Sequence, residues 1–139
     1  MKSEDRVLVG IDGSDSASKA LEWALDYAQM AGLPVRAVSA WAFPVYYGEL
    51  QIPEEWDIEA STRSAATQQM EDALEHHPDV TAEVVVEFGH PSQVLIEASK
   101  GARLLVVGNR GHSGASGILL GSVSTHCVHA AHCPVVVVR

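Results

Sequence analysis

Positive charge is scarce in this sequence: nine Lys and Arg stand against eighteen Asp and Glu, a formal net charge of −9 at pH 7. So acidic a chain is repelled by phosphate backbones and anionic lipid, which argues against nucleic-acid or membrane-surface binding. Long apolar runs are missing as well. None approaches the roughly 18–20 residues that cross a bilayer. The opening Met1-Lys-Ser-Glu-Asp-Arg6 carries both signs of charge and leads into only five apolar residues, too few for the apolar stretch of a signal peptide. Cysteine is limited to Cys127 and Cys133, which make no disulfide framework for a chain this long. Repeats and low-complexity tracts are absent. What is present is apolar material: 47% of the 139 residues are hydrophobic and 19% charged, enough for a core and against disorder. The expectation is one soluble, reduced, cytoplasmic domain over residues 1–139.

Short apolar runs alternate with longer amphipathic stretches. Val7 to Ile11 reads as a buried strand. Ser16 to Ala31 reads as a helix, with Ala17, Ala20, Leu21, Ala24, Leu25, Ala28 and Ala31 at three- and four-residue spacing and Gly32 as its stop. Val35 to Trp41 is a second strand, and 42–54, with Pro44, Gly48 and Pro53, a loop. Ile58 to His76 is a helix closed by Pro78, and Val80 to Phe88 a third strand. Pro91 suits the first turn of a helix that runs to Lys100. Leu104 to Gly108 is a fourth strand, Ser122 to His132 a fourth helix, and Pro134 to Val138 a fifth strand.

Strands alternating with helices, several strands being continuous apolar runs, predict an α/β fold: a parallel sheet covered on both faces. Right-handed crossovers leave few arrangements. The one expected is a Rossmann-like, doubly wound five-stranded sheet of order 3-2-1-4-5. Its switch point lies between strands 1 and 4, outside whose carboxyl ends ligands bind. The segments emerging there are Gly10-Ile-Asp12-Gly-Ser14 and the loop after Gly108. A small-molecule site should use both.

That second loop reads Gly108-Asn-Arg-Gly111-His-Ser-Gly114-Ala-Ser-Gly117-Ile-Leu-Leu-Gly121-Ser122-Val-Ser124. Glycine lets backbone N–H groups turn inward and approach a ligand without side-chain obstruction. Gly121-Ser122 then opens a helix whose first amides and positive dipole end suit an anion, with the Ser122 and Ser124 hydroxyls as further donors. Arg110 would add charge toward a phosphate or point to solvent. The competing reading is a surface loop whose Ser122 merely caps a helix. Neither a Walker A sequence nor a G-x-G-x-x-G after the first strand is present.

Gly108-x-x-Gly111, nine residues, then Gly121-Ser122 resembles the ATP-binding motif of the universal stress proteins. Val9-Gly-Ile-Asp-Gly-Ser14 and Cys133-Pro-Val-Val-Val-Val-Arg139 are similar to the way that family's first and last strands end. The resemblance covers the whole chain. It implies ATP between the two loops, with Asp12 near the ribose and phosphates and helping to hold Mg2+. It also implies that the backbone near Ala40 borders the adenine. Gly10 belongs to the first loop. Gly108, Arg110, Gly111, His112, Ser113 and Gly114 would line the phosphate loop, closed by Ser122, Val123 and Ser124 after Gly121. The implied role is a nucleotide-dependent stress-response regulator or sensor. The alternatives are a dimeric interaction protein without nucleotide, or a slow ATP hydrolase.

Other features favour structural readings. His126, His129 and Cys133 could share a helix face and are zinc-type ligands, but a closed site normally draws on two elements. Asp12, Ser14 or Ser16 could cap the first helix. His112 and Ser113 are adjacent, which does not by itself make a triad. Phe43, Tyr46, Tyr47 and Trp56 either form a lid over the adenine or a satellite cluster over the next helix. The last strand, Val135 to Val138, would be an uncharged sheet edge, which invites antiparallel pairing with a second copy through 134–138. The resemblance implies the same homodimer.

Overall fold

The computed structural model describes residues 5–43, 57–110 and 121–139. Five parallel strands, β1 (Val7–Gly10), β2 (Val35–Trp41), β3 (Ala82–Phe88), β4 (Leu104–Gly108) and β5 (Val135–Val138), lie in the order β3-β2-β1-β4-β5. The expected order is therefore the observed one. Four helices connect them: α1 (Asp15–Ala31), α2 (Ile58–Leu74), α3 (Pro91–Ala98) and α4 (Ser122–Ala130).

Side chains alternate across each strand, so the sheet has two cores. Val7, Val9, Val35, Ala37 and Val106 face the buried side of α1 and of α2, where Ala20, Leu21, Ala24, Leu25, Ala66 and Met70 pack. Leu8, Val38, Leu105 and Val107 face the other way, against Leu95 of α3 and Cys127 of α4. The central strands β1 and β4 are buried on both faces, which is why they read as unbroken apolar runs.

Element ends depart from the sequence reading where local hydrogen bonds compete. Helix α1 starts at Asp15 because Ser14 is its cap, its hydroxyl accepting from the Ala17 amide at 3.1 Å. Gly32 closes the helix in the left-handed region at φ 72°. Helix α2 stops at Leu74, where the amides of His76 and His77 turn to carbonyls three residues back. The Val80 amide donates to His77, so β3 begins only at Ala82. Helix α3 ends at Ala98 because the buried Ser99 hydroxyl donates to Ile96 O and accepts from the His132 amide. That last bond also ends α4 early, at Ala130.

His77 bridges the two helices of one face. Nδ1 lies 3.1 Å from Ala73 O and Nε2 2.6 Å from Asp26 Oδ1. Both partners are acceptors, so a ring that donates from both nitrogens, the imidazolium, fits best. Burial lowers its pKa, but the hydrogen bonds to Asp26 and Ala73 and the charges of Glu22 and Asp26 outweigh this, and the net shift is upward. A raised native pKa gives stability that is complete below the unfolded value of about 6.5 and is lost as pH rises through the native value. The thermal midpoint should therefore fall as pH rises from about 6, and His77→Gln should flatten that dependence. Parallel profiles for the two proteins would contradict the bridge.

Candidate functional site

The switch point is built by the segments that leave β1 and β4. After β1, the Asp12 carboxylate folds back on its own loop: Oδ1 accepts from the Ser14 amide at 2.9 Å and the Ser14 hydroxyl at 2.5 Å. This is the Asx geometry that Asp favours, and it leaves the side chain exposed. Gly13 sits at φ 84°, a conformation that β-carbons disfavour. Ser14 thus both holds Asp12 and caps α1, so the cap and an exposed carboxylate coexist in this loop.

After β4, Ser16 of α1 ties the second segment to the first. Its hydroxyl lies 3.3 Å from Asn109 Oδ1, to which it donates, and accepts from the Arg110 amide at 3.3 Å. The Asn109 carbonyl accepts from the Gly121 amide at 2.7 Å, and the Asn109 amide donates to Val138 O. The start and end of the glycine-rich segment are thereby joined, and α4 begins beside the mouth of β4.

Helix α4 has no side-chain cap at Gly121. Its first intrahelical bond of the i to i−4 type runs from the Thr125 amide to Gly121 O. The amides of Ser122, Val123 and Ser124 precede it and take no part in the helix ladder. Ser124 is buried, and its hydroxyl donates to Gly121 O at 3.0 Å. The exposed hydroxyl is that of Ser122. Gly121 directs its own amide to Asn109, and the amides of Ser122, Val123 and Ser124 follow it at the start of the helix.

Two expected site glycines also have packing reasons. A β-carbon on Gly108 would lie on the Ser16 hydroxyl and within 2.9 Å of that residue's backbone, so α1 is seated directly against β4 there. A β-carbon on Gly10 would meet Leu95 Cδ1 at 2.7 Å. Ala40 lies half-buried near the carboxyl end of β2, opposite Glu87 of β3. Gly111, His112, Ser113 and Gly114 lie outside the described residues.

Beyond Ala40, the strand tips of β2 and β3 carry an aromatic cluster. Trp41 is edge-on to Phe43 at 5.2 Å and to Phe88 at 4.9 Å. Phe43 and Phe88 remain exposed. Of the proposed lid residues, Tyr46, Tyr47 and Trp56 lie outside the described residues.

On α4, His126 and His129 are exposed while Cys127 is buried, its thiol pushed up to about 11 chiefly by desolvation. Among the described residues no three His, Cys, Asp or Glu side chains are grouped to hold a metal ion. Three contributors to the switch point escape the sequence reading in this role: Ser16, Asn109 and Gln69 of α2. Ser16 appears there only as a potential cap. Gln69 carries no sequence signal, because its partners are 51 to 56 positions away.

Comparison with known proteins bears on this geometry. Residues 4–139 match the universal stress protein family. A universal stress protein of Mycobacterium tuberculosis is 39% identical over 139 residues, covering 96% of this chain and 45% of the relative. One from Mycolicibacterium smegmatis is 36% identical over 135 residues, with the same coverage. The chain thus spans about half the length of the curated relatives it matches. Among solved structures, universal stress protein UspA from Lactobacillus plantarum superposes with a TM-score of 0.79 at 19% identity, each chain fully covered. A universal stress protein in complex with cAMP superposes with a TM-score of 0.73 at 26% identity, over 99% of this chain and 98% of that one. With a family match over nearly its whole length and relatives well above the level of chance identity, the chain belongs to the universal stress protein family.

Proposed function

We propose that this domain binds ATP at the switch point between β1 and β4 and serves as a nucleotide-dependent stress-response regulator or sensor. The observation that carries the reading is the N-terminus of α4, uncapped by any side chain and held beside the Asp12 loop through Ser16 and Asn109. Amides at a helix start with a positive dipole end suit phosphate, and their fixed position requires no reorganisation on binding. The relative bound to cAMP supports an adenine nucleotide as the ligand class.

In this reading the amides of Ser122, Val123 and Ser124 and the Ser122 hydroxyl hold phosphate oxygens. The glycine-rich residues Gly108, Arg110, Gly111, His112, Ser113 and Gly114 complete the cradle, and the base lies along β2 near Ala40. The exposed Asp12 carboxylate, with one oxygen held by Ser14, fits a ribose hydroxyl or a Mg2+ ion carried in with the phosphates. Mg2+ would screen phosphate charge against this acidic carboxylate. The α4 groups are donors rather than bases, which favours holding nucleotide over cleaving it. A cytoplasmic location goes with this reading, since ATP is replenished there. No described helix is long and apolar enough to cross a membrane.

The test is direct. Purified protein is extracted for bound nucleotide, then titrated with ATP, AMP and cAMP by calorimetry. Adenine nucleotide in the extract, or saturable binding of ATP, is expected. A clean extract together with no heat from any of the three would overturn the proposal.

The reading includes a homodimer through β5. Parallel pairing directs Pro134 O and Val138 O to β4, accepting from Leu105 and Asn109. Alternation then turns Val136 toward β4 and the backbone groups of Val135 and Val137 to the free edge. An antiparallel copy would pair there. Val137→Pro removes one outward donor without touching the ladder to β4. Light scattering should show a dimer for the parent and a shift toward monomer for the variant; a parent that is monomeric at tens of micromolar sinks this interface.

A further inference from the structure

We infer that Gln69, on α2, is the positioning residue of the nucleotide site and acts through Gly13 and Ser14 on the direction of the Asp12 carboxylate. This rests on the proposed function. The side chain of Gln69 reaches from one element into the loop of another and uses its whole polar head there. Its Oε1 accepts from the Gly13 amide at 3.0 Å. Its Nε2 donates to Ser14 O at 3.2 Å and to Ser18 Oγ at 2.8 Å. The orientation of the amide follows from Gly13, whose N–H can only donate and so must face the oxygen.

The consequence is a backbone pinned on both sides of one peptide. Gly13 contributes the N–H of the peptide that leaves Asp12 and Ser14 the C=O of the peptide that enters α1, so Gln69 holds the peptides on both sides of the Gly13–Ser14 link. Gly13 at φ 84° would otherwise be the most permissive point of the loop. The amide of that same Ser14 is one of the two groups that hold Asp12 Oδ1. The Gly13 N–H lies in the peptide attached directly to the Asp12 α-carbon, so holding it, together with the Ser14 bonds to Oδ1, restricts where the other Asp12 oxygen points.

Gln69 sits half-buried on α2, beside the buried Ala66, Met70 and Ala73. A residue chosen for packing alone would not supply one acceptor and two donors in matching positions. Ser18 anchors the far end of the amide on α1, so the clamp is referenced to the rigid helix rather than to the loop.

The experiment uses the full chain and two independent readouts. Without ligand, amide hydrogen exchange at Gly13 should be at least tenfold faster in Gln69→Leu than in the parent, with the thermal midpoint retained to within a few degrees. Calorimetry with ATP should then show at least fivefold weaker binding for Gln69→Leu, and less than twofold change for the neighbouring Gln68→Leu, whose amide bonds to Asp72 instead. In an Asp12→Asn background, Gln69→Leu should add less than twofold, since it acts through Asp12. Should Gln69→Leu fail to fold, Gln69→Glu is read in the same cycle, because it keeps the acceptor for Gly13 and loses both donors. Unchanged exchange at Gly13, unchanged ATP affinity, or full additivity with Asp12→Asn would each overturn the assignment to Gln69. A parent that binds no adenine nucleotide overturns the proposed function and this role with it, and is told apart by the failure lying in the parent.

Discussion

Gly108→Ala should destabilise the protein by about 3 kcal/mol, the upper end of what overpacking costs. The added carbon would lie on the Ser16 hydroxyl and 2.8 and 2.9 Å from the carbonyl oxygen and carbon of Ser16. A hydroxyl can rotate away; a helix backbone cannot. Relief would require α1 to lift from β4, separating Ala17, Ala20 and Leu21 from a core in which they are almost fully buried. Ser16→Gly should therefore not rescue the variant, because the backbone contacts persist. Gly10→Ala is the control. Its close neighbour is the end of the Leu95 side chain, which can change rotamer, so a loss nearer 1 kcal/mol is expected. Urea unfolding of both variants checks the difference. Equal midpoints would mean that α1 is not seated on β4 as closely as the structure has it.

The second expected result separates binding from folding by their opposite signs. Ser122→Glu places a carboxylate at the exposed first residue of α4, the position that the proposal gives to phosphate. A negative charge there complements the helix dipole, so stability should hold or rise by a few tenths of a kcal/mol. ATP affinity should fall at least about 30-fold, roughly 2 kcal/mol, because the carboxylate repels the phosphates and competes for the same amides. Calorimetry and thermal unfolding on one preparation read both effects. A variant that binds ATP as the parent does would remove the α4 N-terminus from the site. A variant that loses affinity together with stability would instead point to a misfolded helix.

Much of the architecture is legible in the chain because its signals are local and repeated. The seven small and apolar residues of α1 recur at helical spacing, and Gly32 marks its end. Val7 to Val9 and Leu104 to Val107 lack alternation because both their faces are covered. The alternation of strands with helices limits the topology to few choices, and the switch point follows from the order. Element ends are less legible. Leu74 and Ala98 terminate their helices because nearby side chains and turns capture backbone groups, and those competitions depend on neighbours brought in from elsewhere.

At the site, the sequence by itself determined which residue types were available: an aspartate after β1, a glycine-rich segment after β4, and a glycine-serine start to α4. Residue type and spacing follow from covalent order and need no folding to be read. The tertiary structure decided how they are used. Gly121 directs its amide to Asn109, and Ser124 directs its hydroxyl to Gly121 O, so the donors that the proposal assigns to phosphate are those of the neighbouring groups. Ser16 joins the two segments across 93 positions, and Gln69 reaches the first from 56 positions away. Such pairings exist only once β1 lies beside β4 and α2 packs against α1. A hydrogen bond is specified by distance and direction in space, and no spacing along the chain encodes either for groups so far apart.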